Sequence, residues 1–343
     1  MIAIKEIEKE EIWDVFVRES AYSPMTQAPA YGNFYESMGE KYFIMGAYNG
    51  EELVGGALVI MIRARRGSYF YVPYGPIAKN IENYSEILNA SVVYLTKQAQ
   101  KYRVSFIRIS PFVDSTTTTI NAIKNAGFRK APIHALAETT CILDLSGEEG
   151  KILSNMNKNH RNLIRRCEKE GVIVKSFTDS GKLKEFHSLH DITAQRHHFV
   201  RFSNEYVEKE FKSFEKNKEA VIFYCYLPDG TLDSSAVVYY YGSTAAYRHG
   251  ASLGNNHKIP TPYLIQWSAI LEAQRRGMKW YNFWGVAPED AKKGHPFKGI
   301  THFKKGFGGE VKNLIECHDL VIDSLRYWPM WIFETLRRIK RGF

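Results

Sequence analysis

Lys304 ends the helix-like stretch of Gly299-Ile-Thr-His-Phe-Lys-Lys-Gly-Phe-Gly-Gly309. A cation there either opposes a helix dipole or serves a reacting group. Tyr247 and His249 alternate in Tyr247-Arg-His-Gly250, so a regular strand puts both on one face, for sheet packing or for a ligand groove. Over 152–170 a basic helix carries Lys158, Arg161, Arg165, Arg166 and Lys169. Arg161, Arg165 and Lys169 share a face, suited to the phosphates of RNA or lipid, or to solvent beside Glu168 and Glu170. His187, His190, His197 and His198 form the one metal-like pattern, but no cysteine or carboxylate completes it at zinc-like spacing, and no metal is expected. Cys141, Cys167, Cys225 and Cys317 lie scattered, as reduced structural thiols do. An Arg/Gln-x-x-Gly-x-Gly/Ala loop before a helix, which would mark an acyl-CoA site, occurs nowhere.

The elements that must position these side chains repeat. Tyr42–Tyr48, Asn49-Gly50 and 53–60 read as two strands joined by a tight turn, and 220–226, Asp229-Gly230 and 232–240 repeat the plan. Each hairpin is followed by an aromatic strand (69–72; 245–249), a long amphipathic helix (84–102; 262–276), a strand (106–109; 280–283) and a second helix. Those second helices are expected to stop at Gly127 and Gly306, where glycine is the common terminator. The interval from Gly50 to Gly127 is 77 residues and from Gly230 to Gly306 it is 76. Upstream, both copies open with a strand (2–7; 172–177) and a helix (10–19; 182–196). Six elements in register at matched spacing imply a tandem duplication. The fold class is α/β (α+β), each copy a mixed, mostly antiparallel sheet flanked by helices, in the order of an acetyltransferase-type (GNAT-like) unit. The expected domains are 1–146, 147–323 and a C-terminal helix, 324–343, with the break near Gly147-Glu-Glu-Gly150.

Composition bounds the function. The chain has 343 residues, 44% of them hydrophobic, and a formal net charge of +9; that length suits two lobes, and the charge favours anionic partners. The first sixteen residues lack a signal-peptide core, and no apolar run nears the ~20 residues that cross a bilayer, so a cytoplasmic location is expected. The tail, Tyr327-Trp-Pro-Met-Trp-Ile-Phe-Glu-Thr-Leu-Arg-Arg-Ile-Lys-Arg341, puts Trp328, Trp331, Ile332, Leu336 and Ile339 on one side with basic residues around them. That pattern fits an interfacial helix at a membrane, or docking against the second lobe.

Several segments together resemble the FemABX family of aminoacyltransferases that build peptidoglycan bridges: Tyr74-Gly-Pro-Ile77, Leu143-Asp-Leu145 with Lys158-Asn-His-Arg161, Tyr247-Arg-His-Gly-Ala-Ser252, Tyr281-Asn-Phe-Trp-Gly285 and the run 299–309. They keep the family's order over nearly the whole chain. The segment 176–219 leaves no room for the coiled-coil arm of larger members, so the compact form is expected. The resemblance implies two GNAT-like lobes and transfer of a small amino acid (Gly, Ala or Ser) from aminoacyl-tRNA to the stem-peptide amine of a peptidoglycan precursor, lipid II or UDP-MurNAc-pentapeptide, by a monomer without cofactor. It implies a catalytic Lys304 with Phe303, a diphosphate-gripping Arg201, and acceptor-groove residues Tyr247, His249, Tyr74 and Tyr31. Three departures are visible. Thr26-Gln27 leads into Tyr31, Asn33 and Tyr35 where compact members carry a phosphate-binding lysine, and Ser110 and Asn282 replace usual carboxylates, so no base is implied at either position. The rival readings are an acyl-CoA N-acyltransferase and a non-catalytic basic protein that binds RNA or membrane.

Overall fold

The computed structural model describes residues 2–64, 67–254, 258–291, 295 and 297–341. The chain begins β1 (Ile2–Glu6), α1 (Glu10–Glu19), α2 (Pro29–Ser37), β2 (Lys41–Asn49), β3 (Glu52–Ala64), β4 (Gly67–Tyr74), β5 (Ile77–Ala78), α3 (Tyr84–Tyr102), β6 (Phe106–Pro111), α4 (Thr117–Asn125), β7 (Arg129–Lys130) and β8 (Thr139–Asp144). It continues α5 (Glu149–Asn155), α6 (Lys158–Lys169), β9 (Ile173–Phe177), α7 (Leu183–His197), α8 (Asn204–Glu215), β10 (Ala220–Tyr226), β11 (Leu232–Tyr241), β12 (Thr244–Ser252), α9 (Thr261–Arg275), β13 (Trp280–Gly285), α10 (Lys298–Lys305), β14 (Glu310–Asn313), β15 (His318–Val321) and α11 (Ser324–Arg341). The series from β1 to β7 and from β9 to β14 repeat one order, with hairpins where the sequence puts them: Asn49 faces Glu52, and Tyr226 faces Leu232.

Local chemistry accounts for the elements. In α3 the buried positions Tyr84, Ile87, Leu88, Ser91, Leu95 and Ala99 recur at helical spacing and pack on the core of the first sheet. α4 starts in a capping box made by Thr116 and Thr119. The Thr26-Gln27 pair stitches strands: Gln27 Oε1 accepts from the Leu58 amide at 2.7 Å, and its Nε2 donates to the Pro73 carbonyl at 2.6 Å.

The sheets do not follow the expected boundaries. One runs β1-β2-β3-β4-β6-β15-β7, with β5 beside β3; the other runs β14-β8-β13-β12-β11-β10-β9. Each repeat thus takes the strand that follows the other repeat, β8 in the second sheet and β15 in the first. The compact units are accordingly 1–140 with 285–299 and 312–343, and 141–284 with 300–311. A single cut near 146 and a separate unit 324–343 are corrected, because strand pairing is a non-local contact that local patterning does not encode.

Two local expectations also change. The basic helix over 152–170 is two helices, α5 and α6, broken at Met156 and Asn157. Arg161 turns back to donate to the carbonyls of Ser154 and Met156 at the end of α5, so it leaves the expected stripe. Gly306 is not the left-handed terminator of α10; Gly308 is, at φ +92°. Gly306 is needed for space: a Cβ there would lie 1.9 Å from the His160 ring.

Candidate functional site

α10 carries Lys304 on its last turn, where only 6% of the residue is exposed. Its Nζ lies 5.7 Å from the centroid of the Tyr247 ring, an attraction that a desolvated ammonium makes strong. Burial disfavours the charged form and draws the lysine from 10.5 down to about 7. The Cys141 thiol is itself pushed up to about 11 by burial, so it is neutral near pH 7. Lys304 is therefore an amine that can both take and hold a proton at physiological pH, which an exposed lysine cannot do.

The backbone beside it is fixed by a residue that the sequence did not single out. His160, fully buried on α6, shares a 2.9 Å hydrogen bond through Nε2 with the carbonyl of Phe303. That carbonyl accepts, so Nε2 carries the proton; burial holds the imidazole below its ordinary pKa and neutral. The His160 ring packs edge-on against Tyr263 at 4.8 Å and Phe307 at 4.9 Å, and Phe303 meets Tyr263 at 5.0 Å. An aromatic cage thus clamps the last turn of α10. The available signal was Lys158-Asn-His-Arg161 itself: a histidine set at i to Ile164 at i+4 and Cys167 at i+7 lies on the buried face of α6.

Tyr247 and His249 do not share a face. β12 pairs His249 with Val237 and Tyr247 with Val238, leaving Arg248 as the extra residue of a bulge, and one inserted residue reverses the alternation. Tyr247 looks toward Lys304. Gly250 makes room for it, since a Cβ there would meet the Tyr247 hydroxyl at 1.8 Å. His249 faces α7 and α8 instead, with its Nε2 2.8 Å from buried Glu210. Arg248 donates to the same carboxylate at 3.2 Å and stacks over Phe202 and Trp284. Burial pushes Glu210 up, but Arg248 and His249 outweigh it and hold the carboxyl below its usual range.

Arg201 lies near this second cluster, donating through Nε to Asp191 at 2.6 Å and through Nη1 to the Phe202 carbonyl at 2.7 Å. Tyr31 is buried against Phe34 and Tyr35. Tyr74, at φ +54°, donates its hydroxyl to the Ala137 carbonyl at 3.0 Å. Both are packing residues of the first unit. Asn282 is a turn residue whose Oδ1 accepts from the Trp284 amide at 2.8 Å, holding Trp284 at φ +64°. Ser110, on β6, is buried.

The histidines make stability depend on acid. His187 shares a 2.8 Å bond with Glu208, whereas His190 is drawn down to about 3, chiefly by burial and then by the charges of His249 and Arg201. The unfolded chain protonates His190 near 6.5, so between 6.5 and about 3 it binds a proton that the folded chain refuses. Stability therefore falls as pH falls through that window. His190 by itself should cost about 2 kcal/mol on going from pH 6.5 to pH 5. Urea titrations of the wild type and His190→Phe at both pH values check this; an unchanged pH slope in the variant would sink it.

A sequence model of the FemAB family matches residues 7–229 and 226–335. Aminoacyltransferase FemA of Staphylococcus epidermidis is 33% identical over 110 residues, 31% of this chain and 22% of that protein. Aminoacyltransferase FemB of the same organism is 29% identical over 94 residues, 27% of this chain and 22% of that protein. The matches span about a fifth of these relatives. Among solved structures, that of FemX superposes with a TM-score of 0.84 at 18% identity, covering 95% of this chain and 99% of that one. A tandem GNAT protein from the clavulanic acid biosynthesis pathway gives 0.57 at 11% identity, covering 94% and 99%. These structures share the fold expected from the repeat.

Proposed function

This chain belongs to the FemAB family, and from that membership we propose that it is an aminoacyltransferase of peptidoglycan-bridge synthesis, moving a small amino acid from aminoacyl-tRNA to the stem-peptide amine of a cell-wall precursor, lipid-linked or nucleotide-linked. The observation that carries the chemistry is the buried Lys304 amine beside the Tyr247 ring. The ester of a charged tRNA is already activated, so the enzyme has to orient two substrates, relieve the acceptor amine of a proton and stabilise the oxyanion. In this reading the acceptor nitrogen attacks the ester carbonyl, a C–N bond forms, and neutral Lys304 takes the proton. The cation so made faces the oxyanion. As the intermediate collapses, the C–O bond to the terminal ribose breaks and Lys304 returns the proton to the leaving ribose oxygen. Phe303 holds Lys304 in place through the carbonyl bonded to His160.

Arg201 is assigned to the diphosphate of the precursor. A planar guanidinium suits that partner, and its ion pair with Asp191 would exchange for phosphate on binding. Lys158, Arg165, Arg166 and Lys169 remain on the exposed side of α6 and fit the RNA backbone. Tyr74 and Tyr31 would shape the acceptor side of the first unit from behind, through packing. The enzyme would work in the cytoplasm at or near the inner face of the membrane.

The donor decides the reading. Purified protein with charged tRNA and a precursor should yield the extended peptide by mass spectrometry, and ribonuclease should abolish it. Transfer from an acyl-CoA that ribonuclease leaves untouched would replace this function with an acyl-CoA N-acyltransferase.

A further inference from the structure

α11 shows two apolar faces. Tyr327 and Met330 are buried against Phe106, with Trp331 packed at the edge, and Glu334 reaches Arg108 at 2.8 Å. This face holds the helix on the first unit. The opposite face carries Leu325, Trp328, Ile332, Leu336 and Ile339, at intervals of three and four residues that make one stripe. All five are exposed, Leu325 by 89%, Ile339 by 65% and Leu336 by 61%. Part of the expected tail pattern is thus corrected: Trp331 belongs with the docked face, and Trp328, at the edge of the stripe, is held under the Arg129 guanidinium at 4.3 Å, while Leu325, Ile332, Leu336 and Ile339 face outward. A helix fixed on one side and facing water on the other should be polar there, so the stripe is unexplained by folding.

Charge selects its occupant. Arg326 and Arg337 stand exposed beside the stripe. Glu334 is the only acidic residue between Ser324 and Arg341, and it is bound to Arg108 on the docked face. Arg326 is paired with Asp323 at 3.4 Å, so the uncompensated charge beside the stripe is that of Arg337, and a second copy pairing stripe to stripe would add like charge to it. An anionic lipid surface meets both features, accepting the apolar side chains below the headgroups and the guanidinium groups among them. Among the described residues no helix is long and apolar enough to cross a membrane, so the contact is peripheral.

We propose that the outward stripe of α11 is a docking surface for an anionic bilayer. The test is sedimentation of the full chain with vesicles of phosphatidylcholine alone or mixed with phosphatidylglycerol. Wild type should bind the anionic vesicles and release in salt. Ile332→Asp with Leu336→Asp should bind at least about tenfold more weakly, and Arg326→Gln with Arg337→Gln should lose the preference for phosphatidylglycerol. Val93→Asp, at an exposed apolar position of α3, is the control and should bind as wild type. Both double variants change exposed positions away from the docked face, and melting curves matching wild type would confirm that they fold. Unchanged binding by the Asp variant overturns the proposal, as does a wild-type dimer that the Asp variant dissolves.

Discussion

The Lys304→Met variant should turn over a hundredfold to a thousandfold more slowly than wild type and, near neutral pH, be more stable. The kinetic half follows from where charge develops. A cation poised at the oxyanion stabilises the transition state more than the neutral ester, and losing one such partner typically costs about 3–4 kcal/mol in the barrier. Loss should appear in kcat, with acceptor binding spared. Arg201→Ala should show the reverse, a raised KM for acceptor at preserved kcat, because a diphosphate contact exists in ground and transition states alike. The wild-type rate should rise with pH through about 7, as Lys304 loses its proton, and that limb should vanish in the residual activity of the variant.

The stability half comes from the same burial. Lys304 titrates near 10.5 unfolded and about 7 folded, so between those values the unfolded chain holds the extra proton. Stability is then undiminished above 10.5 and falls as pH drops toward 7, a penalty of about 4 kcal/mol at pH 7. Methionine fills similar space without a charge to desolvate. Losing the attraction to Tyr247 offsets part of the gain, leaving a net of about 2–4 kcal/mol. Urea denaturation at pH 7 and pH 10.5 measures this, and the gain should shrink at the higher pH. Near-normal turnover with saturating substrates would remove Lys304 from the mechanism. A variant no more stable at pH 7 would deny that its amine is desolvated.

Arg108→Ala should destabilise the first unit by about 3–5 kcal/mol. Arg108 on β6 is 1% exposed and bridges two carboxylates. Nε and Nη2 donate to Asp319 on β15 at 2.7 and 2.8 Å, and Nη1 and Nη2 donate to Glu334 on α11 at 3.1 and 2.8 Å. Burial opposes its charge, yet Asp319 and Glu334 outweigh that and raise its pKa further. Without the guanidinium, fully buried Asp319 keeps the Tyr327 hydroxyl at 3.1 Å but has lost its counter-charge, and an uncompensated buried carboxylate is what makes such deletions costly. Hydrogen exchange should show β15 and α11 loosening first, since both are tied through this residue. Arg108→Met combined with Asp319→Asn should recover part of the loss, because replacing both partners leaves no orphaned charge. A loss below about 1 kcal/mol in the single variant would mean that the network contributes no more than a surface pair.

This network marks the limit of what could be read from sequence. Arg108 carries no local signal, because its partners lie more than two hundred residues along the chain. His160 was hidden for a related reason: its position on the buried face of α6 was legible, whereas its carbonyl partner on Phe303 was not. Lys304 and Phe303 were legible through their motif. The burial that makes the lysine chemically unusual was not, since it depends on Tyr247 and the cage around α10.

Local patterns are enough for the elements and their duplicated order. Helices, hairpins and turns answer to patterns a few residues long: apolar spacing in α3, Asn49-Gly50 and Asp229-Gly230 in the hairpins, the Thr116 cap of α4. Which strand joins which sheet depends on distant contacts, so that β8 and β15 each sit with the repeat they do not follow. So does the bulge at Arg248 that turns His249 away from Tyr247. Strand pairing and register are settled by contacts between distant segments, and because side chains alternate with a period of two, a single inserted residue is enough to move a candidate from one face of a sheet to the other.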